Sequence, residues 1–148
     1  MEEFKPLVKN SKFVYVWLSQ ILSQLTISIM NFLLLIKLFA VTGSTIATSL
    51  LWVSYALPVI LIGPFAAASV DMVDRRKILM VTNLLQALTI FGYAFLHETR
   101  FFLLYGIVFI YSFLNQFYVP AEAASIPSVV PKKYLAYANG LFFLTQQG

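Results

Sequence analysis

The chain has 148 residues, of which 60% are hydrophobic and only 11% are charged. Because an average soluble domain carries about 25% charged residues, this composition argues against a water-soluble fold. There are no cysteines, which excludes disulfides and thiolate metal sites. The net charge of +4 does not indicate nucleic-acid binding, because the cations lie in short clusters at the ends of apolar runs.

Four apolar runs are long enough to cross a bilayer as helices. The first, residues 13–36, carries no charge and would span about 36 Å as a helix, more than a hydrocarbon core of about 30 Å. The others are predicted at residues 46–70, 78–96 and 101–119, with a polar turn at 41–45 and a charged turn at 97–100. A soluble helical bundle would need a polar face on each helix, and these runs have few polar residues and no charges in their middles. The sequence therefore predicts an all-α integral membrane protein.

A fifth apolar run occupies residues 138–148. Its eleven residues are too few to cross a bilayer, which takes about 20. We therefore expect the chain to be the first part of a longer protein, with the C-terminal remainder as its structural partner. If 148 residues were instead the whole chain, a non-transporting membrane scaffold or sensor would be favoured.

The cations predict the orientation of the runs. Eight of them lie on one side, in three clusters: Lys5, Lys9 and Lys12; Arg75, Arg76 and Lys77; Lys132 and Lys133. The other side has Lys37 and Arg100. Because cationic loops stay in the cytoplasm, we expect a multi-pass protein of the plasma (inner) membrane with a cytoplasmic N-terminus.

Amides and tyrosines within the runs are candidates for the lining of a cavity. Gln20, Gln24 and Asn31 share one face of the first helix, and Tyr111 and Asn115 share a face of the fourth. The alternative for the amides is hydrogen bonding between helices, which contributes about 0.6 kcal/mol per bond. A third stripe, of Thr82, Gln86, Thr89 and Tyr93, fits packing better than binding.

Two prolines interrupt the second run. Pro58 and Pro64 each remove a helical hydrogen-bond donor, so kinks are predicted near them, and Gly63 permits a close helix approach. We expect these three residues to act as hinges. No phosphate-binding loop, nucleophile–base pair or metal-ligand spacing is present, so an enzyme, a cofactor and a metal site are not expected.

Residues 63–77 carry the clearest motif. They read Gly-Pro-Phe-Ala-Ala-Ala-Ser-Val-Asp-Met-Val-Asp-Arg-Arg-Lys. This stretch resembles the signature loop of the major facilitator superfamily, Gly-x-Leu-Ala-Asp-Arg-x-Gly-Arg-Arg/Lys. Asp71 matches the aspartate, Arg75 and Arg76 match the basic pair, and Asp74 replaces the glycine as in the drug-efflux branch. Met72 departs from the pattern, which has arginine there.

Lys77 extends the basic pair, and Ala67 replaces the first glycine of the pattern. A second stretch, residues 120–140, is similar to the segment after the fourth helix in macrolide-efflux and siderophore-exporter members. It reads Pro-Ala-Glu-Ala-Ala-Ser-Ile-Pro-Ser-Val-Val-Pro, followed by Tyr134-Leu135 and Ala138-Asn139-Gly140.

The resemblance implies a fold of twelve helices in two halves with alternating access, of which this chain supplies about the first five. It also implies a gating role for the 71–77 loop. Asp71 would latch the outward-facing state at the positive end of a helix in the other half. The basic residues would form a charge relay with an acid near the end of the fourth helix, for which Glu122 is the candidate.

The function implied is secondary active transport, with export of a bulky amphipathic small molecule such as a drug or macrolide. The expected partners are the lipid bilayer and this substrate, and no nucleic acid. The alternative within the same superfamily is a carrier of lipid or lysophospholipid.

Overall fold

The computed structural model describes residues 5–70, 72–96 and 102–147, and regular structure within those ranges is helical. Asp71 and residues 97–101 lie outside the described residues, and so does the predicted turn at 97–100. The helices are α1 (Lys5–Val8), α2 (Ser11–Thr42), α3 (Thr45–Val70), α4 (Arg75–Leu96), α5 (Phe102–Val129) and α6 (Leu135–Gln147).

Four of these helices, α2 to α5, are long and apolar enough to cross a membrane. They correspond in order to the four predicted runs, which confirms the all-α membrane architecture. Of the turn predicted at 41–45, only Gly43 and Ser44 are non-helical, because α2 ends at Thr42 and α3 begins at Thr45. Gly43 takes a positive φ of 59°, a conformation that only glycine adopts at little cost. Its N–H caps the end of α2 by donating to the Phe39 carbonyl at 2.8 Å.

The helix that contains the fourth predicted run extends beyond the end of that run at residue 119. Helix α5 continues for ten more residues, to Val129, and includes Pro120 and Pro127. Each proline removes one backbone donor, but membrane helices tolerate this where side chains or neighbouring helices satisfy the freed carbonyls. Residues 120–129 therefore continue the helix, whereas Pro131 lies outside it, at the start of the next turn.

The helices contribute to two compact units, and the first contains residues 1–30 and 122–148. Its core combines α1, the start of α2, the end of α5 and α6, through Leu7, Phe13, Ile126, Val130, Ala138 and Phe142. The ring centroids of Phe13 and Phe142 are 5.9 Å apart, and Trp17 Nε1 donates to Thr145 Oγ1 at 3.3 Å. From the first of these contacts to the second, the residue number increases on both helices, so α2 and α6 run in parallel.

The second unit contains residues 31–121. Its best-defined contact is between α3 and α5, which also run in parallel. Consecutive spanning helices alternate in direction, so helices two apart in the chain must be parallel, as these are. The contacts follow one another along both helices: Tyr105 with Ala47, Ser112 with Tyr55, and Gln116 with Gly63.

Candidate functional site

The turn between α3 and α4 carries the charged motif. Met72 N–H donates to the Ser69 carbonyl at 3.1 Å, which closes the end of α3. The carboxylate of Asp74 accepts from Arg76 N–H at 3.0 Å, and the Asp74 carbonyl accepts from Ile78 N–H at 3.1 Å. Asp74 is therefore the N-cap residue of α4. The proposed latch residue, Asp71, lies outside the described residues.

Three cations occupy the first turn of α4: Arg75, Arg76 and Lys77, all exposed. Positive charge at a helix N-terminus opposes the helix macrodipole by roughly 0.3–1 kcal/mol per charge at low ionic strength. The Asp74 carboxylate has the favourable sign at this position. The cations thus reduce the stability of α4, which makes a role in orientation or in contact with another element a better explanation for them.

Glu122 lies on α5, seven residues before its end, and its side chain is only 5% exposed. A carboxylate withdrawn from water is costly unless it has partners, so its burial distinguishes it from the exposed acid Asp74. Its pairing with the basic residues of the 71–77 loop stays a prediction.

A cluster of polar side chains lies where α3 meets α5. Tyr55 on α3 lies close to Asn115 on α5. The Ser112 hydroxyl donates to the Tyr55 carbonyl at 2.6 Å, and the Tyr105 hydroxyl donates to the Ala47 carbonyl at 2.9 Å. Tyr111, on the same helix, is 3% exposed. The two residues predicted on this helix, Tyr111 and Asn115, therefore lie beside or within a polar contact between two spanning helices.

The three predicted hinge residues, Pro58, Gly63 and Pro64, all lie on α3. Helix α3 is continuous through Pro58 and Pro64, and Pro58 is fully buried. Pro58 lacks the N–H that would donate to the Ser54 carbonyl one turn earlier, and the Ser112 hydroxyl bonds to the adjacent carbonyl, that of Tyr55. A Cβ atom added at Gly63 would lie 3.4 Å from Gln116 Oε1. The Gln116 side chain of α5 therefore lies close to the α3 backbone at this glycine.

The amides predicted on the first helix have different surroundings. Gln20 is 4% exposed, and both ends of its amide bond to α6: Oε1 accepts from the Thr145 hydroxyl at 2.6 Å, and Nε2 donates to the Phe142 carbonyl at 3.4 Å. This supports the interhelical alternative for Gln20. Gln24 is half-buried and stays a prediction.

Two amides of the second unit have buried atoms with no hydrogen-bond partner among the described residues: Asn31 Oδ1 and Gln86 Nε2. Thr82, by contrast, satisfies its hydroxyl on the Ile78 carbonyl of its own helix at 2.7 Å. Unpaired amide atoms in an apolar region cost free energy. Asn31 Oδ1 can thus accept a hydrogen bond from a further polar group.

A groove of about 570 Å³ runs along α4 and α5. Its walls are apolar except for one hydroxyl, and comprise Leu85, Leu88, Thr89, Phe109, Ile110, Phe113 and Leu114. Such a surface suits a hydrocarbon chain or an apolar ring, because it offers dispersion contacts and almost no hydrogen bonds.

The sequence model of the Major Facilitator Superfamily matches residues 16–147. The chain therefore belongs to this superfamily of membrane transporters, which accounts for the four membrane-compatible helices among the described residues and for the motif between α3 and α4.

Among individual proteins, the chain is 31% identical over 134 residues to Macrolide efflux protein A of Streptococcus pyogenes, covering 87% of this chain and 33% of that protein. It is 28% identical over 140 residues to the uncharacterized MFS-type transporter YfiS of Bacillus subtilis strain 168, covering 90% and 32% respectively. The chain spans about a third of the length of the curated relatives that it matches. No solved structure matches it.

Several residues in these contacts were not predicted from the sequence: Asn10, Trp17, Tyr55, Ser112 and Thr145. A signal existed for some of them. Asn10 directly precedes the first helix, where asparagine is a favoured cap. Ser112 and Thr145 are small hydroxyl residues within apolar runs, a type that bonds across membrane helices. Tyr55 carried no comparable signal.

Proposed function

We propose that this chain forms the first part, about five helices, of a secondary active transporter that exports a bulky amphipathic small molecule by alternating access. Its partners would be the lipid bilayer, the substrate and the C-terminal remainder of the same chain. The protein would lie in the plasma membrane with the N-terminus and the 71–77 loop in the cytoplasm. The observation that carries this proposal is the superfamily match over residues 16–147.

Export of a drug- or macrolide-like molecule is supported by the likeness to Macrolide efflux protein A. The polar contact between α3 and α5 supports it further. Tyr55, Tyr111 and Asn115 combine aromatic surface with hydroxyl and amide groups, which is the chemistry needed to bind a molecule that is partly apolar and partly polar.

The 71–77 loop is proposed as the cytoplasmic latch. A carboxylate at a helix N-terminus is favoured by roughly 0.3–1 kcal/mol, and by more when partly buried. This free energy can bias the equilibrium between two conformations without fixing it. Asp71 would supply that carboxylate, and Arg75, Arg76 and Lys77 would interact with Glu122.

The test is efflux by the full-length protein carrying Asp71→Asn, at matched expression. We expect efflux to fall severalfold, since a loss of about 1 kcal/mol changes the ratio of the two conformations about fivefold. The matched control is Asp74→Asn, which removes one negative charge three residues away but keeps the oxygen that caps α4. Equal efflux by Asp71→Asn and the wild type would contradict the latch.

A lysophospholipid carrier is the second candidate, and the apolar groove along α4 and α5 favours it. The same cells or vesicles should be assayed with a macrolide, a cationic amphipathic dye and a labelled lysophospholipid. Transport of the macrolide or the dye, without the lipid, supports the exporter. Transport of the lipid alone would replace the exporter with the lipid carrier.

A further inference from the structure

Four exposed lysines lie at one end of the first unit: Lys9, Lys12, Lys132 and Lys133. They come from chain segments about 120 residues apart, yet the structure joins those segments directly. Asn10 Nδ2 donates to the Val129 carbonyl at 2.6 Å. This bond ties the start of α2 to the end of α5. We call these four side chains the cationic face.

A buried core supports the cationic face. Leu7 and Phe13, on either side of Lys9 and Lys12, are 1% and 0% exposed and pack with Val130, which is 4% exposed. Lys132 and Lys133 belong to a 3₁₀ turn whose last residue, Tyr134, donates its N–H to the Pro131 carbonyl at 2.9 Å. The lysines therefore project from an ordered platform, so little backbone entropy is lost when they bind a ligand.

No exposed carboxylate faces these lysines within the described part of this unit. Its one described acid, Glu122, is buried. The Lys133 ammonium lies 4.7 Å from the centre of the Tyr134 ring, a contact that holds a cation without neutralising it. Among the described residues of this unit, therefore, no exposed carboxylate neutralises the positive charge of the face.

The location of the face indicates what that partner is. The start of α2 and the end of α5 are the ends of two spanning helices, so the lysines lie at the boundary between hydrocarbon and water. Lysine stems bury their methylene groups against apolar surface and place the ammonium at headgroup level. Clusters of four or more cations directly beside a spanning helix attract anionic lipids.

From this arrangement we propose that the cationic face binds the phosphate headgroups of anionic phospholipids. Two or more lysines from different chain segments would contact one headgroup, so the lipid would also bridge the start of α2 and the end of α5. This interaction is separate from transport and does not depend on the substrate.

The test uses the full-length protein purified in a neutral detergent and titrated with phosphatidylglycerol, with phosphatidylcholine as the uncharged comparison. Native mass spectrometry counts the bound lipids at each concentration. The main variant replaces all four lysines with glutamine, and a second replaces them with arginine. The control is Lys37→Gln, which removes a cation near the other end of α2.

We expect the wild type to bind phosphatidylglycerol more tightly than phosphatidylcholine, and the glutamine variant to lose at least about tenfold in phosphatidylglycerol affinity. The arginine variant and Lys37→Gln should bind as the wild type does. Higher salt should weaken binding of phosphatidylglycerol and leave phosphatidylcholine unchanged, because only the first is electrostatic. The salt series and the arginine variant keep the test decisive if the glutamine variant fails to fold.

Equal binding of the two lipids by the wild type would overturn the proposal, and so would full phosphatidylglycerol binding by a folded glutamine variant. Displacement of the lipid by inorganic phosphate at equal concentration would show a phosphate site and not a lipid site. Tighter binding of a short DNA duplex than of phosphatidylglycerol at the same salt concentration would also overturn it.

Discussion

Helices α2 and α4 both begin with a side-chain cap followed by positive charge, one lysine in α2 and three cations in α4, but their surroundings differ. At the start of α2, Asn10 Oδ1 accepts from Phe13 N–H at 3.4 Å, and Asn10 Nδ2 donates to the Val129 carbonyl on α5. At the start of α4, Asp74 caps Arg76 at 3.0 Å. Phe13 is fully buried, whereas every described residue from 72 to 77 is exposed.

The start of α2 is therefore held in place by buried contacts, whereas the start of α4 is exposed. The first turn of α2 is part of a core that also contains α1, α5 and α6, so displacing it would expose buried apolar surface. The capping and backbone bonds at the start of α4 are local, within residues 69–78. Elements that change position in a conformational cycle come from regions with few buried contacts. The start of α4 has this property, as the proposed latch requires.

Among the variants that test this comparison, Phe13→Ala should have the largest effect on the free energy of unfolding. Phe13 stacks on Trp17, with centroids 6.2 Å apart, and packs against Phe142. Removing its ring leaves a cavity and should lower the free energy of unfolding by about 3 kcal/mol. The matched control is Phe65→Ala, at a side chain that is 75% exposed, which should cost less than about 1 kcal/mol. Reversible unfolding in mixed micelles measures both.

If Phe13→Ala and Phe65→Ala destabilised the protein equally, the start of α2 would not be a packed end. The comparison with α4 would then lose its basis.

Asn10→Ala should have the next largest effect, because it removes two bonds at once. Loss of the cap costs about 1 kcal/mol, and loss of the bond to Val129 costs about 0.6 kcal/mol more. Asn10→Ser keeps a capping oxygen but has no amide to reach α5, so it should recover the larger part. Melting temperatures of the three proteins in the same detergent give the order. A serine variant no more stable than the alanine variant would contradict the capping role.

The sequence alone predicted the helices well because the apolar runs are long and their charges lie at the ends. A helix needs about 20 apolar residues to cross a bilayer, and runs of that length can be recognised in the sequence itself. The sequence did not indicate that α5 continues through Pro120 and Pro127 to Val129. Proline removes a donor in any helix, but whether the helix continues depends on neighbours that a single sequence does not identify.

The candidate site was less predictable, for a related reason. Gln20 and Asn31 share a helix face and a residue class, yet Gln20 bonds to Thr145 while Asn31 Oδ1 has no partner among the described residues. Tyr55 enters the polar contact because Ser112 and Asn115 meet it from another helix. Which amide packs and which one binds is decided by the neighbouring helix, and the spacing within one helix does not contain that information.

The smallest and most local effect is expected at Asp74. Asp74→Ala removes the cap of α4, and should destabilise the first turn by about 1 kcal/mol. Amide hydrogen exchange at residues 75–78 should then accelerate about fivefold, while exchange at residues 11–14 stays unchanged. Asp74→Asn keeps the capping oxygen but loses the charge that offsets Arg75, Arg76 and Lys77, so its exchange should lie between the other two.

Salt provides the control for this last prediction. The charge contribution at a helix end is screened by added salt, whereas the capping hydrogen bond is not. High salt should therefore remove most of the difference between Asp74→Asn and the wild type, and leave Asp74→Ala faster than both. Acceleration that spread to residues 11–14 would mean that the two helix starts are coupled. The start of α4 could then not move as a local element, and the latch would have to involve the first unit as well.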